Sequence, residues 1–535
     1  MSRSTLCVLL AVSIQFCCSL AMGQDSKWSA RSTDWSENQN PTMGDWGFDR
    51  PCYPNGLFFQ AFATSILLDL SAYSSIALDR TQLQVHPLGH TLQTEDGRPF
   101  FWLADTAWEL LHRLNRRETL EYLDARSSQS FNVIQTVAIA EFDGLNVPNA
   151  NGYLPLIDND PMRPNVQEGE SNDFWDDLDF VIESAKQRGM RVALLPTWGE
   201  WVSPRFSKPA IFQTAEQGYA YGHFLGDRYR NCKSIVWILG GDRPADEAPH
   251  GMAVWKSMAE GIADGTNGVQ LPDGVADWST SLISYHSMTS SSKWFSDAPW
   301  LDFYCWGTYH SSKDWKRSFE IAAKDYALSP PKPTLNSEPP YEEHPRDYDP
   351  KNGFFEEYEI RVAAWWSVMS GTMGHTYGAH PVWQFYDGKS AAKAKVPVPD
   401  VASPRMTWEE ALKLPVANQM MHLRSLFESV DFHHFQPDDT WFRYESQPDS
   451  NTTMPKKHLA GGLGIDYAFI YIPTGENVQV TMGKLSSNLV LAIWFSPRTG
   501  ELSVIGEFEN QGSATFDPPE SPLIGNDWIL VLKSV

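Results

Sequence analysis

At 535 residues, with 42% hydrophobic side chains, 13% aromatics and 22 tryptophans, the chain is long enough to bury a large core and to carry a second domain. Lys and Arg number 42 against 66 Asp and Glu, a formal charge of -24, and no basic cluster is long enough to neutralise a run of phosphates, which excludes nucleic acid as an expected partner. Acidity with many aromatics suits a neutral sugar, whose C–H faces stack on Trp while carboxylates accept from its hydroxyls.

Met1-Ser2-Arg3, the apolar run Leu6–Leu20 and then Ala21-Met22-Gly23 supply the basic start, hydrophobic centre and small cleavage residues of a signal peptide. Residues 1–23 are read as that peptide, so the mature chain is expected to be secreted or periplasmic. Of six cysteines, Cys7, Cys17 and Cys18 leave with it, and Cys52, Cys232 and Cys305 allow one bridge at most. Residues 24–82 read as an arm rich in Asn, Asp, Ser and Pro. Leu57–Leu70 within it is too short, and too interrupted by Gln60 and Asp69, to span a membrane.

Strands and helices then alternate. Phe100–Asp105 is the first strand, followed by a helix through Leu110 and Tyr122, and Asn132–Ile139 is the second strand. Apolar residues at helical spacing (Trp175, Leu178, Val181, Ile182, Ala185) end at Gly189 and lead into the strand Arg191–Trp198. A helix at 213–230 precedes the strand Ser234–Asp242, and a helix at 252–264 precedes Ser281–Tyr285. Leu301–Cys305 is the sixth strand. Helix 314–327 leads to Lys332–Glu338, helix 355–369 leads to Gly371–His375, and helix 416–428 completes the series. Continuous apolar strands alternating with amphipathic helices specify a parallel sheet covered by helices, and eight such units over residues 83–430 favour an α/β fold of the (β/α)8 TIM barrel type. Beyond about residue 430 the segments are short, β-branched or aromatic (Tyr467–Ile472, Val478–Thr481, Leu489–Trp494, Leu502–Ile505, Trp528–Leu532), which reads as a C-terminal antiparallel β-sandwich over 431–535.

In such a barrel the C-terminal strand ends line the active site. They present Asp105, Glu141, Trp198 with Glu200, Asp242 with Arg243, Tyr285 with His286, Tyr309 with His310, Glu338, and His375 with Tyr377; Trp108 and Trp383 lie just beyond strand ends and join the candidate substrate-binding set. Asp242 and Glu338 each end a strand-like segment as a lone acid and are the candidate catalytic pair. One carboxyl protonates a leaving oxygen while the other attacks or activates water, with the neighbouring imidazoles, hydroxyls and Trp faces holding an oligo- or polysaccharide. Metal and cofactor chemistry is not expected. His86-Pro-Leu-Gly-His90 has the spacing of a zinc pair, but Pro87 and Gly89 deny it the helix, and there is no G-x-S-x-G, P-loop or G-x-G-x-x-G after a strand.

The runs Phe101–Asn115 (FWLADTAWELLHRLN), Pro148–Leu156, Trp237–Arg243 (WILGGDR), Trp300–Phe303 and Gly374–Gly378 closely resemble the apiosidase-like catalytic domain of glycoside hydrolase family 140, and the tail resembles the collagen-binding-like domain that usually follows it. The resemblance implies a retaining mechanism with Asp242 as acid/base and Glu338 as nucleophile, and the release of apiose from branched plant pectin. Two departures stand out. Gly241-Asp242 replaces the Asn-Glu of most related barrels, so backbone placement must compensate for a shorter acid, and Asn336-Ser337 replaces Asp-Gly before the nucleophile. An endo-acting β-glycanase on the same barrel, and a non-catalytic surface or matrix-binding protein, are the other readings.

Overall fold

The computed structural model describes residues 81–205, 209–389, 404–445 and 458–535. The expected signal peptide and nearly all of the arm lie outside the described residues. A three-stranded antiparallel sheet (Leu83–Val85, Leu92–Thr94, Pro99–Phe100) opens the described chain. It lies at the bottom of the barrel, where the Arg191 guanidinium donates to the Thr81 carbonyl.

Eight strands follow: β1 (Trp102–Thr106), β2 (Val133–Ile139), β3 (Arg191–Thr197), β4 (Ile235–Gly240), β5 (Ile283–His286), β6 (Tyr304–Gly307), β7 (Thr334–Glu338) and β8 (Gly374–Tyr377). Every residue of these strands is buried, because helices cover one face and the barrel interior the other. The covering helices are α1 (Arg116–Ser128), α2 (Phe174–Gln187), α3 (Ala215–Arg228), α4 (Gly251–Asn267), the single turn α5 (Ser292–Phe295), α6 (Arg317–Tyr326), α7 (Glu357–Met369) and α8 (Pro415–Glu428). Their starts are locally encoded. Asn115 with Glu118 and Thr214 with Gln217 form reciprocal capping boxes, and Asp173 caps α2. The barrel expectation is met, with a shift at two strands: β6 runs to Gly307 rather than ending at Cys305, and β8 begins at Gly374 rather than ending at His375.

The hydrogen-bonded ladder is not continuous. Six strands pair in the order β8-β1-β2-β3-β4-β5, while β6 and β7 pair only with each other. The seams are crossed by isolated bonds, such as Asp302 N to the Ile283 carbonyl and Met373 N to the Thr334 carbonyl, both 2.9 Å. Side chains inside the barrel add to these: Gln135 on β2 donates to the Ser337 carbonyl on β7 at 2.9 Å. That carbonyl is free for Gln135 because the β6–β7 register shifts between Asn336 and Glu338.

The tail forms two antiparallel sheets. One contains β10 (Ala460–Leu463), β11 (Tyr467–Ile472), β16 (Trp528–Ser534), β13 (Leu489–Phe495) and β14 (Leu502–Glu509), and the other β9 (Phe442–Tyr444), β12 (Val478–Thr481) and β15 (Ser513–Phe516). The larger sheet is covered on both faces. Tyr467, Phe469 and Tyr471 of β11 belong to the barrel's core cluster, while Ala468, Ile470 and Ile472 pack into the second cluster between the sheets. The same joint holds a buried ion pair: Arg361 on α7 donates to Asp527 at 2.7 and 2.9 Å, and the Tyr471 hydroxyl adds a bond at 3.0 Å. Cys305 is a buried free thiol and Cys232 a half-buried one. Among the described residues no helix is long and apolar enough to cross a membrane.

Candidate active site

β4 leaves the barrel through Gly240, Gly241 and Asp242, whose φ angles are +89°, +126° and +54°. Such a run turns the chain sharply, and it is tolerable because two of the residues lack a Cβ and Asp accepts the left-handed region better than most side chains. The turn is tightly seated: a Cβ on Gly240 would stand 2.3 Å from the His286 carbonyl oxygen, and one on Gly241 would stand 2.8 Å from the Trp198 ring. It delivers Asp242 Oδ1 to within 3.5 Å of His286 Nε2, where the Tyr309 hydroxyl donates to it at 3.1 Å. Here is the backbone placement that the shorter acid requires.

Glu338 ends β7 with its Oε2 2.9 Å from the same Nε2. One oxygen of each carboxylate and one His286 nitrogen all lie within 4.8 Å of one another. His286 is the pivot. The Ser337 hydroxyl donates to the Trp306 carbonyl at 3.2 Å, so it accepts from His286 Nδ1–H at 2.9 Å. A neutral ring would then turn a bare Nε2 lone pair toward two carboxylates; a protonated ring donates to them. Burial opposes that charge, but the hydrogen bonds and charges of Asp242 and Glu338 outweigh it and raise the pKa of His286 to about 9. The cluster has the composition of a metal site, and the mutual hydrogen bonds of its three side chains hold it together in this structure.

The two carboxyls titrate as a pair. Burial, then the Asp242 charge, pushes Glu338 up to about 7. Burial also acts on Asp242, but His286, then Arg243 and Tyr309, hold it below its ordinary value. The pair therefore keeps one proton between them up to near-neutral pH.

Around this centre, Trp108 Nε1 donates to the Tyr341 hydroxyl at 3.0 Å, and that hydroxyl bonds Glu338. The Trp108 ring meets Trp198 edge-on at 5.0 Å and His286 at 5.4 Å. His310 Nε2 lies 3.9 Å from Glu338 Oε1; its Nδ1 accepts from the Tyr341 backbone N–H at 3.3 Å, so Nε2 carries the proton. Burial, with the nearby His380, pushes the His310 pKa down to about 3, which makes it a neutral donor. His344 stacks on His310 at 3.6 Å, and His380 meets His344 at 4.6 Å. Behind Asp242, Arg243 bridges Glu141 at 2.9 Å and Glu200 at 2.6 Å, while burial pushes the Glu141 pKa up to about 8.

Not every expected residue reaches the site. Asp105, expected to bind substrate, is fully buried and accepts from Arg126 at 2.8 Å and Tyr122 at 2.5 Å. Tyr377 lies beside Asp105 in the β8–β1 register, and its hydroxyl donates to Glu342 at 2.6 Å. Side chains alternate along a strand, and this parity sends both to the helix layer rather than the cleft. His375 shares the face of Tyr377, and neither ring nitrogen has a hydrogen-bond partner in the described chain; burial pushes its pKa down to about 3. These three are corrected from substrate-binding to structural positions. Trp383 sits at the edge of the centre, donating to His380 Nδ1 at 3.2 Å and packing near Phe142 at 6.3 Å. Tyr341 and His344 escape the sequence reading because they follow a strand end by several residues. The Pro339-Pro340 pair that fixes the backbone ahead of Tyr341 was a usable signal.

The family described as Apiosidase-like, catalytic domain matches residues 87–434, and the family described as Putative collagen-binding domain of a collagenase matches residues 448–533. A solved structure described as a glycoside hydrolase is 28% identical, with a TM-score of 0.73, over 85% of this chain and 97% of that one. A glycoside hydrolase family 5 protein from Bacteroides vulgatus ATCC 8482 is 27% identical, with a TM-score of 0.73, over 85% of this chain and 94% of that one. No curated protein sequence matches the chain.

Proposed function

The chain belongs to the apiosidase-like family of glycoside hydrolases, and from that premise we propose that it is a secreted, retaining, exo-acting glycosidase that removes apiose-type side-chain sugars from plant or algal polysaccharide. The observation that carries the mechanism is the approach of Asp242 and Glu338 oxygens to within 4.8 Å. Retaining enzymes hold their carboxyls about 5–5.5 Å apart, whereas inverting enzymes need roughly 6.5–9.5 Å to admit a water.

In this reading Glu338, oriented by hydrogen bonds from His286 and Tyr341, attacks the anomeric carbon. The raised pKa of Glu338 and the lowered one of Asp242 place the pair's proton on Glu338, so that proton first passes to Asp242, oriented by Tyr309, which then gives it to the departing oxygen as Glu338 attacks. A glycosyl ester on Glu338 results. Asp242, now ionised, takes a proton from water as that water attacks the same carbon from the face the leaving group vacated, and the configuration is restored. His286 stays charged throughout and offsets whichever carboxylate is ionised. Convergence of both acids on one imidazolium speaks against the non-catalytic surface protein.

The test is incubation with branched pectin bearing apiosyl side chains, followed by NMR of the first product formed. A single monosaccharide with retained configuration is expected. Inverted product would reject the mechanism, and release of internal oligosaccharides would favour the endo-acting β-glycanase. Secretion rests on the apolar run before Ala21-Met22-Gly23; N-terminal sequencing of the exported protein should begin near Gln24.

A further inference from the structure

The loop after β6 carries a hydrogen-bond donor that the reaction described above leaves idle. Tyr309 adopts a φ of +54°, a left-handed backbone that side chains of its size rarely take. Strain of this kind persists where the surroundings enforce it, and it gathers at ligand-holding positions. Here the enforcing group is the backbone of Glu338 itself: the Thr308 N–H donates to the Glu338 carbonyl at 3.0 Å, while the Asp347 N–H donates to the His310 carbonyl at 2.8 Å. The bend brings the Tyr309 hydroxyl to Asp242 and the next ring, His310, to Glu338.

His310 is fixed as a donor. Its Nδ1 accepts from the Tyr341 N–H, and its ring stacks on His344 at 3.6 Å, which is itself held by donating from Nδ1 to the Pro345 carbonyl at 2.8 Å. The Nε2–H that this leaves stands 3.9 Å from Glu338 Oε1, too far for a hydrogen bond, and has no other partner within the described chain. The nitrogen is not sealed. Both ring nitrogens of His375 are closed off from the surface, whereas His310 Nε2 is not, and 4% of the His310 side chain and 7% of the Glu338 side chain stay open. The gap between them has a definite size: one oxygen about 2.8 Å from each atom fits it. That oxygen must accept from Nε2–H and donate to the carboxylate, which a hydroxyl does and a ring or ether oxygen does not. When the Glu338 carboxylate faces an anomeric carbon, the hydroxyl within its reach is the one on the neighbouring carbon.

We propose that His310 binds the 2-hydroxyl of the sugar whose bond is cleaved, holding it between Nε2 and Glu338 Oε1, and so selects glycosides in which that hydroxyl is free; the inference rests on the glycosidase reading above. Hydrogen bonds to this hydroxyl strengthen in the transition state, so the contact acts on rate as well as on binding. Because burial and the nearby His380 push the pKa of His310 down to about 3, the ring donates as a neutral group and leaves the charge of the carboxyl pair to His286.

The experiment compares kcat/KM of the full chain on 4-nitrophenyl β-apiofuranoside and on its 2-deoxy analogue, in the unsubstituted protein and in two variants. His310→Asn keeps an acceptor for the Tyr341 N–H but has no atom in the place of Nε2, whereas His310→Gln returns an amide donor to that place. The preference for the 2-hydroxyl substrate is expected to fall about tenfold in His310→Asn and to stay within about threefold in His310→Gln. A purely structural role would slow both substrates alike and leave the ratio unmoved, so an unchanged ratio in His310→Asn, or an equal fall in both variants, would overturn the assignment. Should His310→Asn melt early, His310→Phe, which preserves the stack on His344, takes its place with the same fall expected. Absence of turnover by the unsubstituted chain on both substrates would sink the glycosidase reading and this inference with it; turnover with an unmoved ratio sinks this inference alone.

Discussion

His286 shows how much rests on single contacts: one ring nitrogen faces both carboxylates of the proposed catalytic pair, at 2.9 and 3.5 Å. The two acids should respond differently to removal. Glu338→Ala is expected to abolish turnover, a loss of about 10⁴-fold or more, because no glycosyl ester can form. Asp242→Ala should keep most of its first-step rate on aryl glycosides with good leaving groups, and azide should restore turnover by replacing the base-dependent water; stopped-flow release of the aryl group separates the steps. The pH profile has a worked sign. The general acid is present only while the pair holds its proton, so kcat/KM should fall as pH rises through about 7, the value to which burial and the Asp242 charge raise Glu338. Removing the imidazolium by His286→Gln takes away a positive charge that favours ionised carboxylates, so the acid limb should move to higher pH; an unmoved limb would reject the charged ring. Much of this site was legible in the sequence, because Asp242, Glu338, His286 and His310 all sit where apolar strands stop. Asp105, His375 and Tyr377 misled for the complementary reason: proximity to a strand end does not fix the parity of the side chain.

At the scale of elements, the turn Gly240-Gly241-Asp242 decides whether the acid reaches the site. Gly241→Ala places a Cβ 2.8 Å from both the Gly199 backbone nitrogen and the Trp198 ring at a φ of +126°. Relief must come from movement of the turn. The expected result is a stability loss of about 1–3 kcal/mol with a fall in kcat well beyond it, because a carboxyl displaced by about 1 Å forfeits a large part of its rate advantage; kcat and the urea midpoint measured together distinguish the two effects. The barrel elements were readable because periodicity, capping residues and Gly stops agree along 102–428. The sandwich was less so. β10 is Ala-Gly-Gly-Leu, with no strand signature, and its glycines are set by neighbours: a Cβ on Gly462 would stand 2.4 Å from the Gln436 carbonyl oxygen. Tertiary crowding of that kind leaves no trace in local sequence. Ser337 is a contrasting case, since its departure from the family pattern supplies the acceptor for His286 Nδ1–H.

For the whole molecule, the tail is part of the barrel's support, because one face of its larger sheet belongs to the barrel's own core. Asp527→Ala would take away the buried carboxylate of Arg361 and leave it the more exposed Glu357 at 2.8 Å, a loss of about 3 kcal/mol that chemical denaturation should register. The seams in the barrel ladder carry a different consequence. Asp242 and His286 stand on the six-stranded piece and Glu338 on the two-stranded piece, so no ladder sets the distance between the acids. His286 works as a rivet between two plates, gripping Ser337 and Glu338 from the far side of the joint. Warming should loosen a rivet before it melts the plates, so activity should fade at a temperature below the midpoint of the circular dichroism transition, and coincident midpoints would refute this. The enzyme's working temperature is then set by one imidazole ring, and its melting temperature by the bulk of the core.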